Sequence, residues 1–198
     1  MPIADSGVSL PKQQTAVITL DLGRLIIEHN APVPVLRPDM AIVRAAAVAI
    51  NLTDAKRLKY STAIGAIHGD DFAGTVVALG DEALKSGRLQ VGDRVAGMVH
   101  GMNKLQPDVG AFAQYVGATA DLLLKIPDRM SFAEAAGLGS DVITATMAVF
   151  LELRAPVTVG QLRTTERNTR ENSEPGCFVL VVGGGTAAGT RAIQILKL

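Results

Sequence analysis

Apolar and polar residues alternate in short runs over the first two-thirds of the chain, and the period then turns helical. Residues 16–20 and 24–28 are strand-like runs flanking Asp21-Leu22-Gly23, and residues 41–50 form a longer apolar run ending at Asn51. Thr53 or Asp54 is placed to cap a short helix that extends to Leu58. Residues 72–79 read as a strand in which Gly74 marks a bend or a close backbone approach. Val91-Gly92-Asp93-Arg94 supplies a turn before a strand over 95–99. Two further strands are predicted over 110–117 and 122–126, the second closed by Pro127-Asp128. Ser131-Phe132-Ala133-Glu134 has capping-box spacing and opens a helix to Ala136; a second helix is predicted over 142–153, before Pro156.

Beyond that helix the pattern changes twice. Residues 161–176 are polar and charged with no apolar period, which predicts a linker or exposed loop. An apolar run over 178–182 then leads into Gly183-Gly184-Gly185-Thr186-Ala187-Ala188-Gly189-Thr190 and a helical face of Ala188, Ala192, Ile195 and Leu196. A strand-rich body followed by one βα unit is not a single doubly wound sheet. The predicted organisation is α/β in two domains: a body over 11–140, a helix and charged linker over 141–176, and a second domain beginning at 177.

Composition narrows the function classes. The chain has 198 residues, 48% of them apolar, and 19 basic residues balance 19 acidic ones. No basic stripe marks a nucleic-acid or anionic-membrane surface. One cysteine, Cys177, excludes an internal disulfide and a cysteine-rich zinc site. Residues 1–14 lack a secretory pattern, so a reduced, cytoplasmic setting is expected.

The glycine cluster carries the most specific chemistry. A strand, a glycine turn and a helix start form a dinucleotide-binding βα unit: the glycines let backbone approach a pyrophosphate, and the helix end supplies free N–H groups. Gly185, Thr186, Ala187 and Ala188 are the candidate phosphate-turn residues. The strand that would read the ribose belongs about 20 residues further on, and the chain ends at Leu198, so a truncated unit is expected.

Asn51-Leu52-Thr53-Asp54-Ala55-Lys56, His68-Gly69-Asp70-Asp71-Phe72-Ala73-Gly74, Val91-Gly92-Asp93-Arg94-Val95 and Gly110-Ala111-Phe112-Ala113-Gln114-Tyr115 occur in one order. Leu122-Leu123-Leu124-Lys125-Ile126-Pro127-Asp128 and the glycine cluster continue it. In that order the chain resembles the medium-chain dehydrogenases/reductases, and most of all the trans-acting enoyl reductases that serve fungal polyketide synthases. Leu52 stands where that family usually has Pro, and Gly185 where it often has Ser.

The resemblance implies a GroES-like, β-rich catalytic domain followed by the first β-turn-α of a truncated Rossmann domain. It implies NADP as cofactor, in a cleft between the two. It also implies reduction of the α,β-double bond of a polyketide held on the carrier protein of a polyketide synthase or synthase–peptide synthetase hybrid, by a monomer. Asn51, Thr53, Asp54, Ala55 and Lys56 would then meet the nicotinamide half of the cofactor. Lys56 would hydrogen-bond the ribose or donate toward the enolate. Ser140-Asp141-Val142-Ile143-Thr144-Ala145-Thr146-Met147 would face substrate, with Thr144 also touching the nicotinamide.

No metal is expected, because no cysteine precedes Cys177 to ligate a catalytic zinc. His68, Asp70 and Asp71 are a weaker O/N alternative, since the same segment reads as the turn into a core strand. Asp54 and Lys56 have a plain reading as well, a capping carboxylate and a solvated ammonium. Two other functions stay open: a quinone oxidoreductase of the same superfamily, and a truncated non-catalytic partner of the synthase.

Overall fold

Four successive buried residues, Met40 to Val43, open the longest strand of the first unit, and exposed and half-buried positions then alternate to Ala49. The computed structural model describes residues 10–60, 63–154 and 179–197. The chain divides into two units, Met1–Ser140 and Asp141–Leu198. In the first, β1 (Gln13–Asp21) and β2 (Arg24–Pro32) pair as an antiparallel hairpin. Gly23 takes a φ of +79° in its turn, a conformation glycine adopts without strain.

A five-stranded antiparallel sheet follows, in the order β6-β3-β4-β5-β7. Its centre is β3 (Met40–Ala49) beside β4 (Asp71–Leu79), with β5 (Arg94–Met98) next to β4. One face buries Val43, Phe72, Val76, Val95 and Val116 in the main core. On the other face Ala73 and Ala96 receive α3 (Phe132–Ala136) through Ala135 and Ala136. Alanine on both sides lets this helix lie close to the sheet. Gly74 sits opposite a register shift between Ala45 and Ala47, and a Cβ there would fall 2.1 Å from the Arg44 carbonyl oxygen. The close approach expected at Gly74 is therefore present.

Several elements differ from expectation. The strand expected over 110–117 is β6 (Tyr115–Thr119), because the backbone of 111–114 is engaged by crossing segments. Ala111 N–H donates to the Gly69 carbonyl, Phe112 N–H to that of His68 and Gln114 N–H to that of Thr15. The strand expected over 122–126 shrinks to β7 (Leu124–Lys125), since residues 120–122 close a 3₁₀ turn first. The short polar helix α2 (Asp81–Ser86) has no apolar period to announce it; it ends at Gly87 in the left-handed region.

α3 starts as its sequence predicts. The Ser131 hydroxyl accepts from Glu134 N–H at 3.2 Å, and the Glu134 carboxylate accepts from Ser131 N–H at 2.8 Å. The Ser131 hydroxyl also donates to the Glu134 carboxylate at 2.7 Å, and this bond first, with the one from Ser131 N–H second, holds the carboxyl below its ordinary range.

The helix expected over 142–153 begins earlier, as α4 (Gly139–Thr146), and passes into a π-helical turn over Met147–Glu152. In the second unit α5 (Ala187–Leu196) forms where its apolar face predicts. The strand expected over 178–182 is not formed across its described part, 179–182. A strand exists through hydrogen bonds to a neighbour, and no strand among the described residues lies beside this one. Leu180 and Val182 are accordingly 88% and 89% exposed. Pro156, the linker over 161–176, Cys177 and Phe178 lie outside the described residues.

Candidate functional site

Helix α1 (Leu52–Arg57) is six residues long, too short to be stable on its own propensity. Its position therefore depends on what holds it. Asn51 is the N-cap, in place of the expected Thr53 or Asp54. Asp54 falls at the third helical position and reaches back, accepting Asn51 N–H at 2.7 Å. Asp54 is buried, whereas Thr53, Ala55 and Lys56 are exposed. Of the five residues expected at the nicotinamide, three thus face outward, and Asp54 is turned into the domain as a capping carboxylate. Nothing among the described residues desolvates Lys56.

Beneath α1 lie two consecutive buried aspartates. Asp71, 1% exposed, accepts from Asn51 Nδ2 at 2.9 Å, from Ser140 N–H at 2.8 Å and from the Ser140 hydroxyl at 2.5 Å. Asp70, 3% exposed, accepts from Arg57 Nη1 at 2.6 Å and from Gly101 N–H at 3.1 Å. Arg57 also donates to the Gly101 carbonyl. Gly101 fits here because it has no side chain: a Cβ would fall 2.3 Å from the Gly69 carbonyl oxygen. Asp54, Asp70 and Asp71 are not interchangeable surface charges: Asp70 and Asp71 each meet at least two donors, and Asp54 accepts from Asn51 N–H through Oδ2.

His68 is buried beside them. Its ring stacks on Phe112 with centroids 5.4 Å apart, and Nδ1 lies 3.7 Å from Asp54 Oδ1, too far for a hydrogen bond. Asp54 Oδ1 has no hydrogen-bond partner among the described residues. Burial pushes the His68 imidazole below its ordinary value and the Asp54 carboxyl above its own; the neighbouring Asp54 and Asp70 charges only partly offset this for His68. His68, Asp70 and Asp71 do not converge on a common point as metal ligands would. Their polar atoms are directed to Gly69, to Arg57 and Gly101, and to Asn51 and Ser140. Among the described residues no group of three or more His, Cys, Asp or Glu is placed to hold a metal ion.

Of the residues expected to face substrate, Ser140 directs both its donors to Asp71. Asp141, Val142 and Ile143 are half-buried, Thr144, Thr146 and Met147 are exposed, and Ala145 is buried.

The glycine turn is organised by short-range bonds. Gly183 has a φ of +79°. Its carbonyl accepts from Thr186 N–H at 2.9 Å and from the Thr186 hydroxyl at 2.7 Å. Thr186 in turn caps α5, accepting Gly189 N–H at 3.1 Å. The tight contact between turn and helix falls at Gly189, where a Cβ would lie 2.2 Å from the Gly183 carbonyl oxygen. A glycine inside a helical pattern was the available signal. Gly185 has open space around its Cβ position, and Gly185, Thr186 and Ala187 are exposed. A turn stripped of side chains before an exposed helix start suits a pyrophosphate.

Residues 37–128 match the GroES-like domain of alcohol dehydrogenases. The trans-enoyl reductase caaB of Aspergillus niger is 55% identical over 189 residues, covering 96% of this chain and 50% of that protein. The chain is thus similar to a trans-enoyl reductase well beyond its GroES-like segment. The trans-enoyl reductase thnE of Trichoderma harzianum is 54% identical over 197 residues, covering 100% of this chain and 52% of its own length. The chain thus spans about half the length of the curated relatives it matches. Among solved structures, an alcohol dehydrogenase superfamily protein from Novosphingobium aromaticivorans aligns with a TM-score of 0.67 and 28% identity, covering 93% of this chain and 50% of that one. A mycobacterial protein in complex with NADPH aligns with a TM-score of 0.56 and 25% identity, covering 75% of this chain and 42% of its own. No helix among the described residues is long and apolar enough to cross a membrane.

Proposed function

We propose that the protein is a zinc-free, NADPH-dependent trans-enoyl reductase of the cytoplasm. Its substrate would be the α,β-unsaturated acyl chain of a polyketide held on the carrier protein of a polyketide synthase or a synthase–peptide synthetase hybrid. The observation that carries this is α1: a locked helix that keeps Asp54 inside and turns Thr53, Ala55 and Lys56 outward. The identities to trans-enoyl reductases support the same reading.

Thr53, Ala55 and Lys56, with Asn51 and Asp54 behind them, are assigned to the nicotinamide end of the cofactor. Gly185, Thr186, Ala187 and Ala188 are assigned to its pyrophosphate, which their exposed, side-chain-poor backbone suits. Bound NADPH supplies the hydride that ends on the β-carbon of the substrate. The Lys56 ammonium has three donors to offer the ribose or the developing enolate oxygen, and a proton completes the α-carbon. Thr144 and its neighbours Ser140, Asp141, Val142, Ile143, Ala145, Thr146 and Met147 are assigned to the substrate side.

The test is NADPH oxidation by the full chain with an enoyl thioester on an excised carrier protein, against a free quinone. Turnover of the thioester in preference to the quinone is expected. A quinone turned over far faster would move the protein to the quinone oxidoreductases. A chain that neither bound NADPH nor turned over either substrate would favour a non-catalytic partner of the synthase.

A further inference from the structure

Asp70 and Asp71, named with His68 as a weaker O/N metal alternative, each accept at least two hydrogen bonds. Each is almost wholly buried at the start of β4, and each holds a different end of α1. Asp71 accepts from Asn51 Nδ2 at the N-cap, and Asp70 accepts from Arg57 Nη1 in the last turn. Adjacent residues at a strand end point to opposite sides, so the pair reaches both helix ends from one fixed piece of backbone. That backbone is itself fixed: Asp71 pairs with Ala49 across β3 and with Met98 across β5. Asp71 also takes both donors of Ser140, so two residues expected to touch ligands are tied to one carboxylate.

We propose that Asp70 and Asp71 are positioning residues that clamp α1 and so set where Thr53 and Lys56 stand. The inference rests on the assignment of α1 to the cofactor, made above, for its functional consequence only. A helix of six residues has no intrinsic stability to resist drifting, and charge-assisted hydrogen bonds are about twice as strong as neutral ones. Asp71→Asn keeps the shape and removes the charge.

Hydrogen exchange of the α1 backbone amides, read without cofactor in the full chain, tests the clamp directly. NADPH affinity, read by fluorescence titration, tests its consequence. In Asp71→Asn and Asp70→Asn we expect exchange over 52–57 to quicken roughly tenfold, with β3 and β4 unchanged, and NADPH affinity to fall roughly tenfold. Unchanged exchange in α1, or quickening spread evenly over the sheet, would overturn the clamp. Should either variant not fold, Asn51→Ala and Arg57→Lys weaken the same bonds from the helix side and carry the same expectations. Loosened α1 with unaltered NADPH affinity would leave the clamp standing and overturn the assignment of Thr53 and Lys56 to the cofactor. The two readings therefore fail separately.

Discussion

Helix α1 and the glycine turn before α5 are both assigned to the cofactor, and they are held in opposite ways. The bonds that hold α1 reach far along the chain, from Asn51 to Asp71, from Arg57 to Asp70 and from Arg57 to Gly101. The turn is held by bonds that span three to six residues, from Thr186 to Gly183, Gly189 to Thr186 and Thr190 to Gly184. The first is a product of the tertiary fold and is lost with it. The second is a local conformation that glycine content and one capping threonine go far to dictate. Perturbing each should therefore leave the other largely intact.

The largest expected effect lies in the clamp. Arg57→Ala leaves the buried Asp70 carboxylate with the Gly101 N–H but without its charged donor. Breaking a buried pair from one side costs about 3–5 kcal/mol, and because Arg57 keeps some solvent contact the lower figure applies, about 3 kcal/mol. Urea unfolding of the full chain measures this. A loss under about 1 kcal/mol would place the pair among ordinary surface bridges and remove the contrast with the turn.

The second effect lies in the turn. Gly189→Ala puts a methyl group within 2.2 Å of the Gly183 carbonyl oxygen, so the turn must move off the helix start. NADPH affinity should fall roughly tenfold, about 1.4 kcal/mol, while the urea transition of the first unit stays where it was. A shift of that transition as large as that of Arg57→Ala would show the turn to be no local structure at all.

The same contrast explains what could be read from the sequence. Strands β1 to β5 were legible because alternation and turn chemistry are local, and so were the Ser131–Glu134 box and α5. β6 was misplaced because the small apolar residues 111–114 bond to Gly69, His68 and Thr15, which lie far off in sequence. At the site, Asn51, Ser140 and Asp71 were each recognised as residues of interest, but not that Asp71 is the common partner of the other two, 20 and 69 residues away from them. An aspartate opening a fully buried strand was the one available hint, since a buried carboxylate must find donors. The strand expected before the glycine turn failed for the complementary reason: its apolar run was local, but strand formation is not.

The smallest effect is one of pH, and it again separates the two regions. Gly183–Thr190 carries no titratable side chain, whereas His68 beneath α1 faces Asp54, Asp70 and Arg57. Burial lowers His68 from 6.5, so below that pH the unfolded chain binds a proton the folded one refuses, and stability falls on acidification. Burial raises Asp54 from 3.8, so the folded chain keeps a proton the unfolded one has released, and that stability is lost as pH rises through the raised value. The signs oppose each other between about pH 4 and 6.5, and each group contributes at most about 1.4 kcal/mol per pH unit. The slope of unfolding free energy across that range in the parent chain is therefore the difference of the two. That free energy should fall more steeply with acid in Asp54→Asn, which has lost the compensating proton, and flatten or reverse in His68→Gln. An acid slope that His68→Gln leaves unaltered would show that the imidazole is not held neutral beneath α1, and the polar floor of that helix would then consist of the aspartates and Arg57 alone.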